Sequence, residues 1–230
     1  MKAVIPCAGE GVRMRPLTLT RPKQLLEFKE RPILEHIFES LPDSVTDVVL
    51  VIGYLGDQIK SHFGEKFAGK NIQYLWQKEK LGTAHALGLA KEILGKDRFL
   101  MLYGDDLIDK KSISKLLNHD LALLVKEVPD PRRFGVVLTD EKGKIIELLE
   151  KPENPPSKLA STGVKILDSR IFEYPAAKHP NGEYYITDSL AKLARNHDIF
   201  IEHADSWVTF GTPEDLERFN ADFKVVTGKI

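Results

Sequence analysis

Lys2-Ala-Val-Ile-Pro-Cys-Ala-Gly-Glu-Gly-Val-Arg-Met-Arg-Pro16, with Arg21-Pro-Lys23 close behind, reads as a strand running into a glycine-rich cationic loop. Ala3, Val4, Ile5 and Cys7 form an apolar run without polar alternation, the pattern of a strand buried on both faces in a parallel sheet. Gly9 and Gly11 then allow positive φ and close approach to a ligand, so that backbone N–H groups can line an anion-binding concavity. Arg13, Arg15 and Lys23 supply charge: an arginine fork holds two phosphate oxygens at once, and a lysine acts as a point charge on a flexible stem. The stretch therefore predicts a bound polyphosphate.

A Gly-x-Gly loop after a strand also occurs in dinucleotide sites, but here Met14 stands where the third glycine belongs and the loop does not open directly into a helix. A Walker-type loop is excluded because no Gly-Lys-Ser/Thr follows. Ala8-Gly-Glu-Gly-Val-Arg13 with Pro22-Lys23 resembles the signature loop of the sugar-1-phosphate nucleotidylyltransferases, in particular those that transfer thymidylyl or uridylyl groups. Val12 departs from that pattern, replacing the usual threonine and its hydroxyl.

Outward from the loop, the first half alternates strand and helix. Pro32 opens an apolar-periodic helix through Leu41, Val48–Ile52 and Ile72–Trp76 read as buried strands, and 55–63 reads as a surface helix. This predicts a doubly wound, mostly parallel but mixed α/β sheet of the Rossmann-like nucleotidyltransferase type, whose ligands bind beyond the carboxyl ends of the strands. At one such end lies Gln77-Lys-Glu-Lys-Leu-Gly-Thr-Ala-His-Ala86, leading into a helix expected over 83–94. Alone it is an ordinary strand-to-helix turn capped near Thr83. Beside the first loop, Gln77, Gly82 and Thr83 resemble the family's pyrimidine-recognition motif.

Phe99–Tyr103 reads as a central strand ending in Gly104-Asp105-Asp106. A plain turn uses Gly-Asp as well, but Tyr103-Gly-Asp105 sits where the family keeps its metal-binding pair. The resemblance thus makes Asp105 a ligand for Mg²⁺, which takes few protein oxygens and completes its shell with phosphate and water. Asp106 falls at a variable position and receives no ligand role. Beyond it, strands are expected at 121–126, 135–138, 145–149 and 159–167. Phe134-Gly-Val136, Glu150-Lys-Pro152 and Ser161-Thr-Gly163 resemble sugar-phosphate motifs, which implies contacts from Tyr103, Gly135, Glu150, Lys151, Thr162 and Gly163. Asn181-Gly-Glu-Tyr-Tyr-Ile-Thr-Asp188 resembles a segment of the N-acetylglucosamine-1-phosphate uridylyltransferases and is read as scaffold before a helix over 189–194. In Trp207-Val-Thr-Phe-Gly-Thr-Pro-Glu-Asp-Leu216, Thr212, Pro213 and Asp215 form a helix start. Thr209 occupies the place where many relatives of that family carry an Asp or Asn as second metal ligand.

Lys+Arg 33 against Asp+Glu 34 leaves a formal charge of -1 over 230 residues, with no basic footprint for nucleic acid. No apolar run reaches membrane-spanning length, the N-terminus lacks signal-peptide character, and the single Cys7 cannot close an intramolecular disulfide. These features lead to the expectation of a soluble cytoplasmic protein without nucleic-acid or membrane partners, and leave a homo-oligomer open. One domain is expected over 1–230, with a nucleotide half at about 1–110, a sugar-phosphate half at about 111–216 and a C-terminal helix and tail at 217–230.

The resemblance implies an enzyme using a nucleoside triphosphate and a sugar 1-phosphate, with Ala8, Gly9, Gly11, Arg13, Gln77, Gly82 and Thr83 on the nucleotide. In that reading the sugar phosphate attacks the α-phosphorus in line without a protein nucleophile, Arg13 and Lys23 stabilise phosphate charge, and UTP or dTTP is favoured. Two rivals remain. One is a cytidylyl- or guanylyltransferase of the same fold acting on another phosphate; the other is a non-catalytic regulatory homologue that binds nucleotide sugars.

Overall fold

The computed structural model describes the backbone of residues 1–227 and the side chains of 1–221; the tail expected beyond residue 227 lies outside the described residues. In chain order the elements are β1 (Lys2–Cys7), β2 (Glu27–Phe28), β3 (Arg31–Pro32), α1 (Ile33–Ser40), β4 (Asp47–Ile52), α2 (Gly56–Phe63), β5 (Lys66–Phe67) and β6 (Lys70–Trp76). Next come α3 (Gly82–Leu89), α4 (Lys91–Leu94), β7 (Phe99–Met101), β8 (Asp106–Ile108), α5 (Lys110–Leu116), β9 (Ala122–Glu127), β10 (Gly135–Thr139) and β11 (Ile145–Glu150). The last are β12 (Leu159–Leu167), α6 (Ile186–Ala194), β13 (Phe200–His203), β14 (Trp207–Thr209) and α7 (Pro213–Thr227).

A ten-stranded mixed sheet runs β11-β10-β12-β7-β1-β4-β6-β5, with β9 paired to β12 and β13 paired to β9. β7, β1, β4 and β6 are parallel, whereas β12 joins β7, β9 and β10 antiparallel. The central strands carry unbroken apolar runs because each feeds two cores. Ala3 and Ile5 of β1 and Val48, Leu50 and Ile52 of β4 pack on one face with α1, while Val4, Val49 and Val51 pack on the other with α3. Side chains alternate across a strand, so a strand covered on both faces needs apolar residues at every position.

Local signals account for several boundaries. Ile33, Leu34, Ile37 and Phe38 are the buried stripe of α1. Asp215 donates its N–H to Thr212 Oγ1 at 3.3 Å and accepts at Oδ2 from the Thr212 N–H at 3.1 Å, the expected start of α7. Other boundaries moved. The helix expected over 83–94 is two pieces: Ala90 bonds back to Leu87 at 3.0 Å, an i−3 tightening just after the weak helix former Gly88. The helix expected at 189 begins at Ile186, because α6 buries Ile186 and Thr187 in its first turn.

The elements β8, β14 and α5 were not anticipated. β8 and β14 are three residues each and pair across the chain with Thr209 opposite Asp106, a contact with no local signature. α5 is capped by Asp109, whose carboxylate accepts from the Ser112 N–H at 2.8 Å. Among the described residues no helix is long and apolar enough to cross a membrane. Cys7 is buried, and burial holds its thiol well above its ordinary range.

Candidate active site

The loop after β1 leaves the sheet at Ala8, whose carbonyl accepts from the Tyr54 N–H at 3.2 Å. Gly11 adopts φ +60°, and its carbonyl accepts from the Thr18 hydroxyl at 2.8 Å. The Tyr54 hydroxyl donates to the Thr18 and Leu19 carbonyls and pins the far side of the loop. Of the two glycines that allow positive φ, only Gly11 adopts it, and nothing lies within 4 Å of a Cβ built on Gly9. The open space beside Gly9 is the cleft itself.

That cleft has a volume of about 640 Å³ and is lined by Ala8, Gly9, Gly11, Arg13, Lys23, Gln77, Gly82, Thr83, Tyr103, Asp105, Gly135, Glu150, Lys151, Thr162 and Thr209. The carboxyl ends of β1, β6 and β7 open onto it, and Gly135 at the start of β10, Glu150 at the end of β11 and Thr162 in the first half of the antiparallel β12 complete its wall. Gly163 alone among the expected site residues is off the wall. Its N–H donates to Asp106 Oδ2 at 2.9 Å, and a Cβ there would stand 2.6 Å from that oxygen and 2.7 Å from Tyr103 Cβ. Its glycine is required by packing behind Asp106.

The cationic loop divides its charges. Arg15 pairs with Glu10 at 3.3 Å and Arg21 with Glu27 at 3.1 Å, whereas Arg13 has no ion-pair partner among the described residues. Lys23, 6% exposed, reaches Asp105 Oδ2 at 2.5 Å. The next residue, Gln24, is buried on the same wall with no partner for Oε1. Asp106 is buried as well, and burial together with the Asp105 charge raises its carboxyl above the usual carboxylate range. The Thr209 hydroxyl and the Trp207 indole face that carboxylate, the indole N–H without closing a hydrogen bond.

Just past β6, Gln77 donates from Nε2 to the Gly82 carbonyl at 3.1 Å and contacts His85 Nδ1 at 2.8 Å. Both amide hydrogens are engaged, and the carbonyl oxygen is the group left for a ligand. Gly82 has φ +84°, and a Cβ there would meet the Tyr184 carbonyl oxygen at 2.6 Å. Gly82 is thus packed against the 181–188 segment, to which Thr83 Oγ1 also bonds by accepting from the Ile186 N–H at 3.1 Å.

At the end of β11, Lys151 Nζ lies 2.9 Å from Glu150 and 4.6 Å from the centre of the Tyr185 ring. Lys151 takes φ +44°, costly for a side-chain-bearing residue, and its N–H donates to the Phe134 carbonyl at 3.0 Å. Under Tyr103, the fully buried Lys165 places Nζ 4.6 Å from the ring centre and donates to the Thr162 carbonyl at 3.0 Å. Burial pushes the Lys165 ammonium down to about 8, against the pull of Asp106 and Glu150. Burial and the nearby Glu150 push the Tyr103 phenol well above its ordinary range.

Sequence reasoning missed Asp106, Lys165, Arg133 and the segment read as scaffold, whose Glu183, Tyr185 and Thr187 line the cleft. Only the resemblance of 181–188 to a uridylyltransferase segment hinted at the last. For a divalent cation the donor set is suitable: Asp105 and Asp106 offer hard oxygens, although no group of three or more His, Cys, Asp or Glu converges among the described residues. Magnesium bound to a polyphosphate needs only one or two protein carboxylates.

A family model described as nucleotidyl transferase matches residues 2–225. The chain belongs to that family. A UTP–glucose-1-phosphate uridylyltransferase, AglF, of Haloferax volcanii is 36% identical over 95% of this chain and 94% of its own length. The bifunctional protein GlmU of Methanocaldococcus jannaschii is 36% identical over the whole chain, which spans 57% of that relative's length. Among solved structures, a Bacillus anthracis chain assigned to glucose-1-phosphate thymidylyltransferase, in complex with a sucrose, superposes with a TM-score of 0.85 at 31% identity. The match covers 96% of this chain and 94% of that one. A UDP-glucose pyrophosphorylase complexed with UDP-glucose gives 0.84 at 25% identity over 97% and 98%. The mixed α/β architecture expected from the sequence is the one these structures share.

Proposed function

We propose that this chain transfers a nucleotidyl group from UTP or dTTP to a sugar 1-phosphate, glucose 1-phosphate being the favoured acceptor, and releases pyrophosphate. The observation that carries the reading is the pairing of an uncommitted Arg13 on a glycine loop with the Lys23–Asp105 ion pair, all on one cleft wall. The relatives AglF and the thymidylyltransferase-like structure support the substrate classes.

In this reading residues 1–230 act as one unit, with the cleft's nucleotide side drawn from about 1–110 and its sugar side from about 111–216. Ala8, Gly9 and Gly11 present backbone to the triphosphate, and Arg13 neutralises the departing pyrophosphate. Lys23 holds the attacking phosphate oxygen near the α-phosphorus, where positioning supplies most of the acceleration. Gln77 presents a lone acceptor, which matches the N3–H of uracil or thymine and opposes the N3 acceptor of cytosine. Glu150 accepts from sugar hydroxyls, and Gly135, Thr162 and Tyr103 shape the wall. Asp105 would hold Mg²⁺, which when bound offsets charge on the phosphates. A nucleoside-triphosphate substrate and a lone buried thiol fit a cytoplasmic location.

The substitution of a neutral Thr209 at the cleft favours one rival, a homologue that binds nucleotide sugar without turnover. Pyrophosphate release measured over a grid of five triphosphates and several sugar 1-phosphates separates the readings. UTP or dTTP with a hexose 1-phosphate should give the highest kcat/KM; no release from any pair would remove the enzyme assignment.

A further inference from the structure

Asp106 is 5% exposed, lines the cleft, and has no ion-pair partner within 4 Å among the described residues. Buried carboxylates are ordinarily paired or bound to a metal. Of the two buried ammoniums near it, Lys23 is committed to Asp105, and Lys165 to the Thr162 carbonyl and the Tyr103 ring. One oxygen of Asp106 is anchored by the Gly163 N–H at 2.9 Å, which fixes the side chain in place. The β8–β14 register sets Thr209 directly opposite, facing the carboxylate with a neutral hydroxyl.

A second observation comes from another part of the chain. Gln24 is 5% exposed, lines the same cleft and leaves Oε1 without a partner. Its Cγ lies 3.2 Å from where a Cβ on Gly104 would stand, which puts it beside the residue that precedes Asp105. A buried acceptor with no donor in the protein suits a hydrogen supplied by the ligand, and water bound to a cation is a strong donor.

The geometry points to Asp106 as the second carboxylate of a divalent-cation site, filling from β8 the place that Thr209 on β14 leaves neutral, with Gln24 Oε1 accepting from a cation-bound water. This rests on the proposed function, since the cation arrives with a triphosphate. Asp105 and Asp106 are consecutive; Asp106 lines the cleft where β8 begins, and the Gly163 N–H behind it holds one carboxylate oxygen, which leaves the other for the cation. Thr209 then faces the site from the paired strand β14.

The test reads metal binding without turnover: Mn²⁺ titrated by electron paramagnetic resonance into the protein, alone and with UTP, no sugar phosphate being present. Asp106→Asn keeps an acceptor for the Gly163 N–H, and thermal unfolding checks that it folds. We expect at least a tenfold loss of Mn²⁺ affinity in the UTP complex, and recovery to within threefold of wild type in Asp106→Asn/Thr209→Asp. Gln24→Met should weaken Mn²⁺ by a smaller factor. An Asp106→Asn protein within twofold of wild type, or a double variant no better than the single, would overturn the assignment. Should Asp106→Asn fail to fold, the anomalous map of wild type with Mn²⁺ and UTP decides: manganese bound directly to an Asp106 oxygen supports the site, and manganese bound to Asp105 alone overturns it. UTP binding by calorimetry keeps the two readings apart. A wild type that binds neither UTP nor Mn²⁺ sinks both, while tight Mn²⁺–UTP binding indifferent to Asp106 sinks only this one.

Discussion

Lys23 and Asp105, 82 residues apart in the chain, meet at 2.5 Å on the wall of the cleft, the lysine 8% and the carboxylate 29% exposed at their side chains. Each is the other's neutralising partner, and each has a second claim on it under the proposed chemistry: a phosphate for the lysine and a cation for the aspartate. The pair therefore holds both side chains in position before substrate arrives, which reduces the reorganisation left for the bound state.

Arg13→Ala and Lys23→Ala should each lower kcat/KM by roughly 2–4 kcal/mol of transition-state stabilisation, by analogy with loss of a preorganised donor. Their effects on folding should differ. Arg13 is exposed and unpaired, so its loss leaves the unfolding midpoint unchanged, whereas loss of the buried Lys23 leaves Asp105 without its partner and lowers the midpoint. Near wild-type turnover in either variant at saturating substrate would discard the phosphate role for that residue.

Gly9 and Gly82 offer a second contrast. Gly82→Ala meets positive φ and the Tyr184 carbonyl at 2.6 Å, so it should destabilise the fold by more than about 1 kcal/mol and disturb the 181–188 segment. Gly9→Ala meets nothing in the protein and should leave the fold unchanged while raising KM for the triphosphate. Denaturant unfolding and steady-state kinetics on both variants check this; an unimpaired KM in Gly9→Ala would mean that the triphosphate does not occupy that space.

Base choice should follow the single free acceptor of Gln77. UTP and dTTP should exceed CTP in kcat/KM, and Gln77→Ala should narrow that ratio by about tenfold, on the scale of one hydrogen bond to a buried partner. A wild-type preference for CTP, ATP or GTP would show that the turn does not read the base in this way.

The buried Lys165 predicts a pH dependence of stability. Its folded-state value is lowered from 10.5 to about 8, chiefly by burial, so between those values the unfolded chain holds a proton that the folded chain does not. Stability from this group therefore rises with pH through that window, and the charged form is a liability below it. Lys165→Met removes the group, so wild type should gain on the variant as pH rises from about 8 toward 10.5, by a total of up to about 3 kcal/mol. Denaturant titrations of both proteins across the window measure the difference, and a constant gap would refute the buried charge.

The sequence by itself determined the strand run at 2–7, the cationic glycine loop, the alternation of the first half and most of the cleft wall, because these depend on local periodicity and short motifs. It also fixed the start of α7, where Thr212 and Asp215 satisfy each other within four residues. Only the tertiary structure decided which cations are free and what stands behind the wall. Arg13 and Arg15 are two residues apart and chemically alike, yet Glu10 claims one of them. Asp106 reads as a turn residue until β14 pairs with β8 from a hundred residues away, and Gly163 as a ligand contact until its N–H is seen on Asp106. Lys165 reads as one more charge in a strand, but the sheet buries it under Tyr103. Burial and pairing across long sequence separations set these roles, and neither leaves a mark in local residue order.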